Sequence, residues 1–183
     1  EAMYNLPVRI NNDVNCFVLG EAHVGSAKGR TSVVGLTIGT GLGAGLFFDN
    51  KLYGGHNTGA GEIGLLTYLN RDLEFYCSSS FFAEIHNISG EILFEKAEAG
   101  DASALSIWAE FGKHMAQAIK YVTLAYDPEA IVIGGSITKA NQFFSESMRA
   151  NLSDFAFPKS MERLEIKFST HPDTQLIGAS LLF

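Results

Sequence analysis

The sequence predicts an α/β fold, a mixed sheet flanked by helices, and three observations predict it. Two apolar runs, residues 33–38 and 44–48, stand close together with glycines between them and turn chemistry behind them. A long stretch from Asp101 to Tyr126 repeats its apolar residues every three to four positions, the period of a helix with one buried face. Beyond it an apolar run, residues 130–133, is followed by alternating helical and strand patterns, which places helices against a sheet. The chain has 183 residues, one domain's length or one lobe of something larger, and 46% hydrophobic with 18% charged residues excludes a disordered chain.

Each element follows from local signals. After Pro7, Val8-Arg9-Ile10 alternates apolar and polar like a short strand, and Asn11-Asn12-Asp13 ends it. From Val14 to about Gly25 the pattern turns helical, with Phe17, Leu19, Ala22 and Val24 among polar residues and Asp13 placed as N-cap. Residues 28–31 read as a loop, 33–38 as a buried strand and 44–48 as a second. Asp49-Asn50 is turn chemistry that sends Lys51, Leu52 and Tyr53 back as a third strand of a meander. Residues 78–99 predict one or two helices broken near Ser89-Gly90. The strongest helix starts at Asp101 and carries Trp108, Phe111, Met115, Ile119 and Val122 on one face. Asp127-Pro128 stops it, residues 130–133 form a buried strand, and Gly134-Gly135 breaks toward a helix over about 141–152. Residues 164–168 alternate as a half-buried strand, and 176–183 close the chain as a helix. No internal repeat is present.

Formal net charge is −7 and the 13 Lys and Arg are scattered, so no nucleic-acid partner is expected for this segment. Two cysteines, Cys16 and Cys77, are too few for a disulfide framework and fit a reducing cytoplasm. No run reaches the roughly 18 apolar residues of a membrane-spanning helix, and a soluble, cytoplasmic protein with no membrane partner is expected. The chain does not open on methionine and enters a strand signal almost at once, so residues upstream are expected.

Several segments carry groups suited to chemistry. Ile38-Gly39-Thr40-Gly41-Leu42-Gly43-Ala44-Gly45 has glycine at every second position between two strands. Without Cβ atoms its amides can approach a polyphosphate, with the Thr40 hydroxyl as a further donor; the same glycines also suit a turn that only packs tightly. It is no Walker A loop, since Lys-Ser/Thr does not follow, and no dinucleotide fingerprint, since a strand follows. Asn12-Asp13-x-Asn15 puts a carboxylate and two carboxamides at the start of a helix, where Asp13 either caps the helix, orients an alcohol and accepts its proton, or does both. Gly59-Ala60-Gly61-Glu62-Ile63-Gly64 sets Glu62 among small residues, as a ligand-facing carboxylate or a solvated turn. Glu84, after Phe81-Phe82, is either an exposed helix residue or one turned into a pocket. Ile133-Gly134-Gly135 either ends a strand or packs under a nucleotide. His23, His56, His86, His114 and His171 show no metal-ligand spacing with the cysteines.

Taken in order, Pro7-Val8, Asn12-Asp13-Val14-Asn15, Gly20-Glu21, the 39–45 glycine loop, Ala60-Gly61-Glu62-Ile63-Gly64, Glu84, Asp127-Pro128, Ile131-Val132-Ile133-Gly134-Gly135 and Gly178-Ala179 resemble the ROK family of bacterial sugar kinases and sugar-responsive repressors over almost the whole chain. The resemblance implies an actin-like ATPase (ribonuclease H-like) lobe. It implies ATP-dependent, glucokinase-like phosphorylation of a hexose or hexose derivative, or alternatively the effector-binding lobe of a sugar-sensing repressor. By the same resemblance Asp13 is the catalytic base, and Asn12, Asp13, Glu62 and Glu84 bind the sugar. Gly39, Thr40, Gly41 and Gly43 bind ATP phosphates, Gly134 and Gly135 lie near adenosine, Mg2+ accompanies the nucleotide, and the protein is a homodimer. The family places an Asp-x-Gly-x-Thr loop in an N-terminal lobe. No such motif occurs here, so residues 1–183 are expected to be the C-terminal lobe of a two-lobed protein, with the N-terminal lobe as its partner.

One departure concerns metal. The family commonly holds zinc through a histidine directly after Gly-Glu-Ile-Gly and a Cys-x-Cys-Gly-x-x-Gly-Cys-x-Glu segment. Here Leu65 takes the histidine position, and counting back from Glu84 leaves only Cys77 in register, with Phe75 and Phe82 at the other cysteine positions. Zinc is therefore expected to be absent, with Leu65, Phe75 and Phe82 packed as an apolar cluster that fixes the Glu84 helix.

Overall fold

The computed structural model describes residues 6–183. Residues 8–10 are exposed and belong to no strand among the described residues, because three alternating residues are a weak strand signal and no described strand runs beside them. Helix α1 spans Asp13–His23, and its N-cap is Asn12, not Asp13: the Asn12 side chain accepts from Val14 N at 3.0 Å. Asp13 opens the first turn, where its own carboxylate accepts from the same amide at 2.8 Å.

Strands β1 (Ser32–Ile38), β2 (Leu42–Phe48) and β3 (Lys51–Leu52) form the expected antiparallel meander. Asp49 and Asn50 turn it at φ 52° and 62°, the left-handed pair that a two-residue hairpin requires. A second hairpin follows, β4 (Thr67–Tyr68) and β5 (Arg71–Asp72), running directly into the single-turn helix α2 (Leu73–Tyr76). A π-helical turn, Phe81–Ile85, then precedes α3 (Gly90–Glu98) and the long α4 (Ala102–Tyr126). Asp101 caps α4 by accepting from Ala104 N at 2.8 Å, and Asp127 ends it at φ 42°, with Pro128 beyond. Strand β6 (Ala130–Gly134), a 3-10 turn (Ser136–Ala140), α5 (Asn141–Ala150), α6 (Pro158–Arg163), β7 (Glu165–Phe168) and α7 (Thr174–Ser180) complete the chain.

The five-stranded sheet has the order β3-β2-β1-β6-β7, with β6 parallel to both β1 and β7. Its two faces are set by the period of two. Val34, Leu36 and Ile38 of β1 and Ile131 and Ile133 of β6 face the α4 side, beneath Trp108, Phe111, Met115 and Ile119. Val33, Ala130 and Val132 face α1, against Val14, Phe17 and Val18. Each large apolar side chain fully buried here contributes about 1.5–3 kcal/mol. Helices α1 and α7 cross at contact distance. A Cβ on Gly20 would stand 1.9 Å from the Thr174 carbonyl oxygen, and one on Gly178 would stand 1.7 Å from that of Cys16.

Leu65, Phe75 and Phe82 do not cluster. Phe82 is fully buried with its ring 4.6 Å from Trp108, Phe75 stacks beneath the Arg71 guanidinium at 4.4 Å, and Leu65 is 69% exposed. Polar aromatics tie the β4–β5 segment instead. Tyr68 bonds His114 of α4, Tyr76 bonds Asn70, and the rings of Tyr68 and Tyr76 meet edge to face at 5.3 Å. These large side chains have polar tips that need partners when buried, and α4 offers one.

Candidate functional site

The parallel pair β1 and β6 ends on one side of the sheet, and the first turn of α1 reaches the same side. Between them opens a cleft of about 370 Å3. The glycine turn from β1 to β2 forms its floor: Gly39 N donates to Gly41 O at 3.0 Å, and Ser79 N donates to Gly39 O at 2.8 Å. Among the described residues the Thr40 and Gly41 N–H groups have no protein acceptor, so two amides and a hydroxyl stay available to an anion. The Glu62 turn lies directly on β2. Gly61, at φ 95°, would put a Cβ 2.1 Å from the Ala44 carbonyl oxygen, so only glycine permits the approach.

Of the residues singled out from sequence, Asn12, Asp13, Gly39, Thr40, Gly41, Gly43, Glu62 and Gly135 line this one cleft. Two do not. Glu84 lies at the surface, paired with Arg71 at 3.0 Å. Gly134 is buried within β6, where a Cβ would meet the Phe17 ring at 2.5 Å, so its smallness serves the packing of α1 on the sheet.

Glu74 was not anticipated, yet it lines the cleft from α2, and its Oε2 accepts from Leu42 N at 2.9 Å. Asp72 caps that short helix by accepting from Phe75 N at 2.8 Å. A signal for Glu74 existed: Asp72-Leu73-Glu74 keeps the final x-Glu spacing of the family's Cys-x-Glu, with aspartate in the cysteine position. Asn15 also lines the cleft; its amide donates to Asn11 at 2.9 Å, while its buried Oδ1 has no partner among the described residues.

A second cavity of about 710 Å3 shares Gly39, Thr40 and Ser136 with the first. Phe82, Phe94 and Trp108 supply its apolar wall, and Glu91, Glu95 and Lys139 supply charged groups. The glycine turn therefore stands between a carboxylate-lined cleft and an aromatic-walled cavity, a layout that fits a polyhydroxylated ligand on one side and a flat heterocycle on the other. Burial pushes up the thiols of Cys16, which also feels the Asp13 charge, and of Cys77, so both stay protonated and neither is an activated nucleophile. Among the described residues no three His, Cys, Asp or Glu side chains converge to hold a metal ion.

The family model for ROK matches residues 1–183. The chain belongs to the ROK family. A curated relative, the glucokinase of Halalkalibacterium halodurans, is 28% identical over 97% of this chain and 63% of its own length. A solved ROK family transcriptional regulator, a homologue of the E. coli MLC protein, superposes with a TM-score of 0.86 at 25% identity, covering 98% of this chain and 52% of its own. A ROK family glucokinase from Streptomyces griseus, solved with glucose and AMPPNP, shares the fold with a TM-score of 0.81 at 22% identity, over 100% of this chain and 70% of its own. The architecture is thus the α/β, actin-like ATPase fold of ROK proteins, a mixed sheet flanked by helices. The chain spans between 44% and 65% of the length of the curated relatives it matches. Among the described residues no helix is long and apolar enough to cross a membrane.

Proposed function

We propose that this chain is the C-terminal lobe of an ATP-dependent, glucokinase-like sugar kinase that phosphorylates a hexose or hexose derivative, working with an N-terminal lobe. One observation carries the proposal: Asp13 and the glycine turn, with its unpartnered amides, line a single cleft together with two further carboxylates, Glu62 and Glu74. Asn12, Glu62 and Glu74 orient sugar hydroxyls, since carboxylates and carboxamides accept from them in pairs. The acceptor oxygen attacks the γ-phosphorus, its proton passes to the Asp13 carboxylate, and ADP departs with the electrons of the broken bond. Thr40 and the turn amides hold phosphate oxygens, and Gly135 and Ser136 border the nucleoside side. Gly134 and Glu84 take no direct part. Mg2+ would enter with the nucleotide, bound mainly by phosphate oxygens and water, and it supplies neutralisation of phosphate charge. A cytoplasmic homodimer belongs to the same proposal.

The test is phosphoryl transfer by the full-length protein from ATP to glucose, fructose, mannose, allose and N-acetylated hexosamines. Transfer to any of these supports the kinase. The likeness to a ROK transcriptional regulator favours a second reading, the effector lobe of a repressor. Sugar binding with no transfer across the panel would establish that one instead.

A further inference from the structure

Glu74 touches both halves of the cleft. Its Oε2 accepts from Leu42 N, the amide at which the glycine turn becomes β2, while Oε1 has no partner among the described residues. A Cβ on Gly41 would stand 2.5 Å from Oε2, and one on Gly64, at the end of the Glu62 turn, would stand 3.3 Å from the Glu74 Cβ. The carboxylate is thus wedged between the anion-binding turn and the sugar-facing turn, and glycine on each side admits it.

Two physical consequences follow. Between Gly39 and Gly41 only Thr40 carries a side chain, so the charge-assisted bond from Leu42 N to Glu74 is one of the few contacts fixing the turn amides. The same negative charge lies beside the place where polyphosphate binds, and it repels polyphosphate while Oε1 is bare. A hydroxyl donating to Oε1 leaves the net charge in place but draws electron density toward Oε1, away from the turn, and so eases donor entry.

We propose that Glu74 is a positioning residue that couples the two sites, so that sugar occupancy strengthens binding of the phosphate donor. This inference rests on the sugar-kinase reading above. It adds that the coupling runs through this one carboxylate.

Calorimetry of AMPPNP binding to the full-length protein, with and without the best sugar substrate, tests it. In the unmodified protein, sugar should tighten AMPPNP binding severalfold, at the low end of the roughly 5–150-fold seen between coupled sites. Glu74→Gln keeps an acceptor for Leu42 N but lacks the charge. It should bind AMPPNP without sugar at least as tightly as the unmodified protein and show almost no tightening on adding sugar. Glu74→Ala loses the bond as well and should weaken sugar-free AMPPNP binding about tenfold. Gly41→Ala crowds the carboxylate without altering it and should also reduce the coupling, which guards against a fault specific to Glu74 variants. Full coupling retained in folded Glu74→Gln would overturn the inference and leave the kinase standing. Absence of both sugar binding and transfer in the unmodified protein would overturn the kinase reading and this inference with it.

Discussion

The hydroxyl of Tyr68 lies 3.0 Å from Nδ1 of His114, joining the hairpin ahead of Glu74 to the longest helix of the fold. Burial acts on both partners in the direction of neutrality. It pushes Tyr68 up to about 12, helped by Cys77 and the neighbouring tyrosines, and His114 down to about 4, helped by Lys113 and His86.

Stability should therefore fall on mild acidification. Because His114 takes its proton more readily unfolded, at its ordinary value near 6.5, than folded, near 4, the unfolded chain binds more protons between those values. The contribution of this histidine is intact above about 6.5, declines as pH drops toward 4 and then levels off. Melting temperatures across that range should slope less in His114→Gln than in the unmodified chain. Equal slopes would remove His114 as the source.

Asp13→Asn in the full-length protein should lower kcat by roughly 10²–10⁴-fold, because the amide can still hold the hydroxyl but cannot take its proton. Sugar KM should change little. Steady-state kinetics decide, and a near-normal kcat would take Asp13 out of the mechanism.

Glu84→Gln should leave sugar KM within about twofold of the unmodified enzyme. Its carboxylate pairs with Arg71 at the surface, and exposed pairs of this kind contribute only about 0–1 kcal/mol to stability. A large rise in KM would bring Glu84 back to the substrate.

Gly178→Ala should destabilise the fold by about 1–3 kcal/mol or more, since overpacking at backbone contact has no flexible neighbour to absorb it. The added Cβ would stand 1.7 Å from the Cys16 carbonyl oxygen, so α7 must lift from α1. Denaturant midpoints measure the loss, and Gly29→Ala provides an uncrowded control in which only the left-handed backbone at φ 84° is at stake.

Extensively dialysed protein should contain no stoichiometric zinc, and a strong chelator should leave its melting temperature unchanged. Leu65 stands where the family motif supplies histidine, Asp72 and Phe82 each precede a glutamate at the spacing of its last cysteine, and α2 is held by the Asp72 cap and the tyrosine contacts. One zinc per chain by elemental analysis would refute this.

The sheet and α4 were legible because the spacing of their own side chains dictates which face is buried. Val33 and Val34 part to opposite cores, and Trp108, Phe111, Met115 and Ile119 return to one stripe. The two-residue strands β4 and β5 and the four-residue α2 are too short to express any period, and α6 buries no residue. Glu74 was missed for a related reason. Without cysteines to fix the register, the spacing alone points to Glu84, which the fold leaves at the surface, and only the fold brings Glu74 over the glycine turn. Asp13 and the 39–43 turn were readable because small and acidic residues concentrated at element ends need no tertiary partner to be noticed.

The sheet separates a large core beneath α4 from a small one beneath α1, and the groups of the cleft are divided between them. Asp13 rides on α1, sealed by its glycine crossing with α7, whereas Glu74 is anchored toward α4. Regions with fewer buried contacts open first. In native-state hydrogen exchange the amides of α1 and α7 should therefore lose protection as one unit, ahead of β1, β6 and α4. Such an opening carries Asp13 away from a glycine turn that is still folded, so on the sugar-kinase proposal phosphoryl transfer would be lost while most of the secondary structure persists.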